Sequence, residues 1–237
     1  MRINIVNELA RSYREAAPDE EERTPRRTKQ TSKASASRSD TRERLLGAAI
    51  ELFGSRGFDA TSMKDIANEV GIKAPAVYNH YKSKEELLAG AVTEALSAFN
   101  DAIAAADSSG AAPLERLQSI ITAHILYQIN HSRIAQANDR LLESGILSKL
   151  DPSVRHKVKG MMREHLDRLT NIVEAIPSPV TGSPPEARLT ALAIITMCDN
   201  VLNWYRPSGS YTPEKICKHF YRLAQSMLLG RTSALES

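Results

Sequence analysis

An all-α protein is predicted by three features of the sequence. Alanine and leucine are abundant while aromatic residues make up only 5% of the chain, a balance that favours helices over strands. Apolar residues recur at three- and four-residue spacing from about residue 40 onward, and no segment alternates convincingly with period two. Helix signals punctuate that pattern in register: Ser and Asp before the periodic runs, Pro in first turns, Gly after the last apolar residue.

The bulk numbers set the limits. With 237 residues, 42% of them hydrophobic, the chain has material for one or two ordinary domains. A formal net charge of +3 argues only weakly for nucleic acid, so the distribution of charge matters more. Cys198 and Cys217 are distant and form no CxxC pair, which points to a reducing cytoplasm rather than a disulfide scaffold. The segment Arg2–Tyr13 carries Ile3, Val6 and Leu9 at helical spacing. It is too short and too charged for a signal peptide or a membrane span, and no stretch reaches 18 uncharged apolar residues.

Residues 1–39 read as a polar tail. An acidic run, Asp19–Glu22, is followed by Arg23, Arg26, Arg27, Lys29, Lys33 and Arg38 with no acid among them. Such composition buries too little apolar area to offset chain entropy. It is either a solvated tail or a basic arm that reaches phosphates or a minor groove.

From Asp40 the elements follow in order. Asp40 with Glu43 makes a capping box for a helix whose apolar face is Leu45, Leu46, Ala49, Leu52 and Phe53, ended by Gly54 and Gly57. Ser62 with Asp65 caps a short helix, Met63–Val70, stopped by Gly71. Pro75 suits the first turn of a third helix, Ala74–Tyr81. Ser83 and Glu86 cap a longer helix to about Ala106. After a small-residue break at Asp107–Ala112, helices are expected at about 113–130, 133–143, 152–176, 185–205 and 213–229, with a Pro-rich loop from Ile176. The predicted domains are a head at 40–87, a helical body at 88–230 and a short tail at 231–237.

Two short helices joined by a tight turn containing Gly form a helix-turn-helix. Met63–Val70 is the positioning helix, Gly71-Ile72-Lys73 the turn and Ala74–Tyr81 the recognition helix. Leu45, Ala49, Phe53, Ile66, Ala67, Val70, Ile72, Val77 and Tyr81 supply a small core that leaves one side of the third helix free for a major groove. The stretch from Thr61 to Leu87, with Gly71, the Tyr78-x-His80-aromatic element and Lys84-x-x-Leu87 all in register, resembles the DNA-binding head of the tetracycline-repressor (TetR) family, and the resemblance runs from about Thr41 to Leu88.

That resemblance implies roles. Lys73, Ala74, Pro75 and Ala76 would face base edges or adjacent phosphates. Tyr78 and His80 match residues that touch the DNA backbone. Lys84 matches a phosphate-contacting lysine at a helix N-terminus, and Thr61 and Ser62 sit where the family often binds a phosphate. Tyr81 replaces the usual Phe and brings a hydroxyl to satisfy. Ala74-Pro75-Ala76 has no hydrogen-bonding side chain, so readout leans on Lys73, Asn79, methyl contacts or DNA shape.

The resemblance further implies a homodimer on a palindromic operator, pairing through the last two long helices, with an effector pocket in the body. The segment from Cys198 through Asn200-x-x-x-Trp204-Tyr205-x-x-x-Gly209 is similar to a branch of the family that often responds to acyl-CoA thioesters. The expectation is therefore a repressor released by a small hydrophobic effector, with no cofactor or metal and no membrane partner. His124, Tyr127, His131, Met161, Met162, His165, Met197, Asn200 and Trp204 are the candidate pocket residues. Trp204, Tyr205, Tyr211, Phe220 and Tyr221 read equally as a packed corner, and Asn200 and Asn203 need partners, in a ligand or in each other. The basic stripe Arg155, Lys157, Lys159 and Arg163 either meets a coenzyme's phosphates or is solvated. An enzyme is disfavoured: there is no Gly-rich phosphate loop, HExxH or nucleophile elbow, and His124 and His131 lie two turns apart, too far to share one tetrahedral zinc unaided.

Overall fold

In the computed structural model, residues 30–177 and 184–229 are described, and among them there is no strand. Most of the acidic and basic tail, most of the Pro-rich loop and the segment after Leu229 lie outside the described residues. The described residues from Asp40 onward belong to one compact unit.

The first helix, α1, spans Gln30–Arg56. Asp40 is therefore not an N-cap: it lies within the helix and pairs with Arg44 one turn on. No Pro or Gly stands between Gln30 and Leu46, so nothing local stops the helix short of Asp40. At the other end Gly57 takes φ 90°, while Gly54 remains helical. Its Cα is pressed against α6 (Ser132–Glu143) so closely that a Cβ there would stand 2.5 Å from the carbonyl oxygen of Ala137. Only glycine permits this crossing.

Helix α2 is Met63–Val70, with the expected reciprocal Ser62–Asp65 box and a left-handed Gly71 at its C-cap. Helix α3, Ala74–Tyr78, ends three residues earlier than expected. The chain turns through Asn79 and His80, whose N–H groups bond to Ala76 and Val77, and Tyr81 turns inward. Helix α4 is Lys84–Ala106. The Ser83 hydroxyl accepts from Glu86 N–H, but Glu86 reaches the N–H of Lys82 at 2.7 Å, one residue further back than a capping box requires.

The body continues with α5 (Pro113–Asn130), α6 (Ser132–Glu143), a 3-10 turn at Ile146–Lys149, α7 (Pro152–Glu174), α8 (Pro184–Asp199), α9 (Val201–Trp204) and α10 (Pro213–Leu229). The single helix expected at 185–205 is broken at Asn200, where two poor helix formers, Asp199 and Asn200, adjoin. Helix α5 is the hub: residues 121–128 are all buried, and it packs on α4, α6, α7, α8, α9 and α10. Asp107 staples three elements together. Its carboxylate accepts from Arg116 Nε at 2.8 Å and Nη2 at 3.0 Å and from Arg168 at 3.2 Å.

Two cores result. One joins the expected head residues to Leu87, Leu88, Ala91 and Val92 of α4 and to Ala137, Leu141, Ile146, Leu150 and Val158 of the body. The other fills the space between α5, α7, α8 and α10. Of the predicted miniature core all but Ile72, which is half-buried, are fully buried. The head does not close on itself, and α6 forms part of its wall.

Candidate nucleic-acid interface and effector cavity

The outward face of the helix-turn-helix carries Lys73, Pro75, Tyr78 and Asn79, all exposed, with Ala76 and His80 half-buried beside them. Tyr78 is the large one, at 52% exposure. Ala74 departs from expectation: it rests partly on the head core and adds little to the outward face. The N-terminus of α3 is held by a backbone turn from Lys73 rather than by a side-chain cap, so the lysine ammonium is not used in capping.

Two side chains expected at phosphates are engaged within the chain. Thr61 is buried, with its hydroxyl 2.9 Å from the carbonyl of Gly57 and 3.3 Å from that of Leu52; it closes the α1–α2 turn. Lys84 has a structural role too, because its ammonium donates to the carbonyls of Phe58 and Thr61 at 2.9 and 3.0 Å and lies 4.3 Å from the centre of the Phe58 ring. It ties the start of α4 to the turn before α2. Ser62 is exposed, and its hydroxyl is engaged with Asp65. Sequence reading also missed Arg44, which donates to the carbonyl of Val70 at 2.6 Å and so caps the end of α2 from α1. The Tyr81 hydroxyl, by contrast, is buried with no partner.

The body contains a cavity of about 190 Å³ lined by α4, α5, α6, α7 and α8. Five of the predicted pocket residues line it, His124, Tyr127, Met161, Met162 and His165. The others do not. His131 follows the last turn of α5, stacks on Tyr127 at 4.3 Å and is exposed, because the helix ends one residue before it. Met197 packs against the second core; Ile195 and Asp199, one turn apart, hold the cavity face of α8, and a residue midway between them points elsewhere. Trp204 is exposed and leans on Phe220 with centroids 6.2 Å apart, which makes it part of a corner, although Tyr211 stays outside it. Asn200 accepts from Asn203 at 2.8 Å within the same chain.

The cavity wall is mainly apolar, with polar side chains set into it. Phe99 packs edge-on against His124, Tyr127 and His165 at 4.9–5.3 Å. Behind it a network forms that sequence reading missed: His124 Nε2 donates to Asp199 Oδ1 at 2.8 Å, and Gln128 Nε2 donates to the same oxygen at 2.9 Å. Burial opposes the charge of Asp199, but these two donors more than offset it and hold its carboxyl below the usual range. Burial, helped by His124, pushes the His165 imidazole down to about 3. The ring nitrogens of His165, Gln128 Oε1 and Asn138 Oδ1 are buried without partners among the described residues. At Asp139, Leu142 and Asp199 the cavity adjoins a wider surface groove of about 750 Å³, bordered by Arg140, Arg206, Gln136, Asn200 and Asn203. The basic stripe on α7 borders neither space; Arg155 instead bonds to the carbonyls of Ser148 and Leu150.

Helix α6 links cavity and head. Ile134, Asn138, Asp139 and Leu142 face the cavity. On its other side Ala137 and Leu141 enter the head core, Ala137 lies against Gly54, and Arg133 pairs with Glu51 of α1. Lys149 adds a second tie, 2.6 and 2.7 Å from the carboxylate oxygens of Asp59.

Comparison with known proteins agrees with this architecture. Residues 45–91 match the model for bacterial regulatory proteins of the tetR family, and residues 110–228 match the tetracyclin repressor-like C-terminal domain. The transcriptional repressor KstR2 of Mycobacterium tuberculosis is 41% identical over 184 residues, covering 76% of this chain and 88% of that one. Structural superposition on KstR2 aligns residues differently, giving 22% identity at a TM-score of 0.65 over 79% of this chain and 94% of that one, so the family assignment rests first on the two domain matches. A regulatory protein in the tetR family from Rhodococcus RHA1 superimposes with TM-score 0.66 at 29% identity over 80% of this chain and 97% of that one. AibR, solved with isovaleryl coenzyme A and operator DNA, shares the fold with TM-score 0.64 at 21% identity, over 80% and 98%. With both its head and its body matched, the chain belongs to the tetR family of bacterial regulatory proteins.

Proposed function

We propose that this protein is a transcriptional repressor that binds a palindromic operator as a homodimer and is released by an effector lodged in the body. The observation that carries this reading is α6, one helix whose two faces serve the cavity and the head core. An occupant shifts the equilibrium between DNA-binding and released states only by its differential affinity for them, and α6 is the element on which both act. We assign backbone contacts to Tyr78, His80 and the α4 N-terminus, and base-edge contacts to Lys73 and Asn79, with Pro75 and Ala76 against the groove floor. Dimerisation is assigned to α8 and α10. These pack on each other, and they expose Leu189, Leu192, Leu223 and Leu229, an apolar surface that a second copy would cover.

For the effector we favour an acyl-CoA thioester over other hydrophobic molecules. The cavity suits an acyl group, and the adjoining groove offers Arg140 and Arg206 to phosphates. AibR supplies a precedent in the same fold. The relatives named above are regulators, and we assign this chain no catalytic step and no cofactor. No described helix is long and apolar enough to cross a membrane, and we place the protein in the cytoplasm.

The test is a mobility-shift titration with an operator selected from random duplex DNA, repeated with a series of acyl-CoA thioesters, free coenzyme A and the free acids. Release by one length class of thioester, and not by coenzyme A, is expected. Release by none of them would remove the acyl-CoA assignment.

A further inference from the structure

The cavity's unpaired polar atoms restrict what enters it, a question that rests on the effector-controlled reading above and deepens it. The Gln128 amide is oriented by its donation to Asp199, which leaves Oε1 as a buried acceptor without a donor. His165 is 6% exposed, and neither ring nitrogen has a partner. Its burial keeps the ring neutral near pH 7, so it offers one donor and one acceptor. Asp139 and Asp199 bring carboxylates to the wall, and no Lys or Arg stands among the described residues that line it.

A carboxylate entering here meets a fixed negative charge at Asp199 and an acceptor at Gln128, with no cation to offset its desolvation. A pure hydrocarbon leaves the buried acceptor and the imidazole unpaired. A hydroxyl donates to the Gln128 oxygen and accepts from the imidazole N–H. The room, about 190 Å³, exceeds the ~150 Å³ that accommodates benzene in an engineered cavity, enough for one substituted ring or a short branched chain.

We propose that the cavity receives an uncharged, hydroxyl-bearing end of an apolar effector, recognised by Gln128 and His165, and that it rejects carboxylate ends. Any anionic part of the effector then lies outside, towards the groove.

Phenol, toluene and benzoate test this as size-matched probes, titrated at pH 7 into full-length protein with 13C-methyl-labelled methionine. Met161 and Met162 line the cavity, so their methyl shifts report binding there. The expected result is phenol binding at least about fivefold more tightly than toluene, although toluene is the more hydrophobic, with benzoate leaving both methyls unmoved. His165→Phe should bring phenol and toluene to parity; Gln128→Leu provides the same comparison if that variant does not fold. Toluene preferred over phenol, benzoate shifting the two methyls, or a phenol preference that survives both substitutions would each overturn the inference. If these results came with operator release by thioesters, the effector reading would stand without it. No methyl shift with any probe and no release by any thioester would overturn both.

Discussion

The head and the cavity solve opposite problems with similar residues. In the helix-turn-helix nearly every polar group on the turns is engaged: Ser62 with Asp65, Thr61 with two carbonyls, Arg44 with Val70, Lys84 with Phe58 and Thr61. The exposed Lys73, Tyr78 and Asn79 are carried on a scaffold that needs no partner to hold its shape. The cavity instead keeps Gln128, Asn138 and His165 buried and incompletely paired. Unpaired buried groups oppose folding, and a protein tolerates them where an occupant completes them. The contrast teaches that DNA meets a finished surface, whereas an effector completes an unfinished one.

The largest effect should come from the junction between the two regions. Gly54→Ala places a Cβ against the backbone of Ala137, and neither helix can yield without moving the other. A loss of about 3 kcal/mol is expected by denaturant unfolding, and a neutral result would mean that α1 and α6 are not locked together. Next comes Asp107→Ala, which strands Arg116 in the body and leaves Arg168 only its 3.4 Å pairing with Glu164. About 2 kcal/mol should be lost, with operator affinity of the folded protein little changed. Asp107 is held below its ordinary range first by the hydrogen bond from Arg116. Its contribution is thus present above the unfolded carboxyl's pKa and lost as pH falls through the folded value.

Thr61→Val should cost about 1–2 kcal/mol while leaving operator binding per folded molecule intact; a selective loss of DNA binding would restore Thr61 as a contact. Within the cavity, His165→Phe removes a ring that resists protonation until about pH 3. The unfolded chain takes up that proton near 6.5, so wild-type stability declines as pH drops from 6.5 towards 3. The variant's thermal midpoint should decline less over that window, and equal slopes would show that the ring is solvated. The smallest effect belongs to Tyr81→Phe, which deletes an unpartnered buried hydroxyl and should leave stability unchanged or raise it by up to about 1 kcal/mol.

The sequence makes the head legible because its signals are local. The Ser62–Asp65 box, Gly71 and Pro75 each act within a turn of helix, and they place α2 and α3 to within a few residues. Periodicity likewise finds α4, α5 and α10. Missing are features made by residues distant in sequence. The Asp199–His124 bond spans 75 positions, and Gly54, read as a helix stop, is a crossing point with Ala137. Helical phase alone would have removed Met197 from the cavity once Ile195 or Asp199 was known to face it. The end of α5 at Asn130 removes His131. Neither fact is visible until the helices are packed.

The central claim is that occupancy of the cavity controls the head through α6. Ala95 lines the cavity from α4, and Ala95→Trp fills it with a side chain in place of an effector. The decisive measurement is the operator dissociation constant of this variant beside the wild type, both folded and at matched dimer concentration. The account predicts affinity weaker by at least about tenfold without any added ligand. Wild-type affinity, with the Met161 and Met162 methyls showing the indole seated in the cavity, would contradict it.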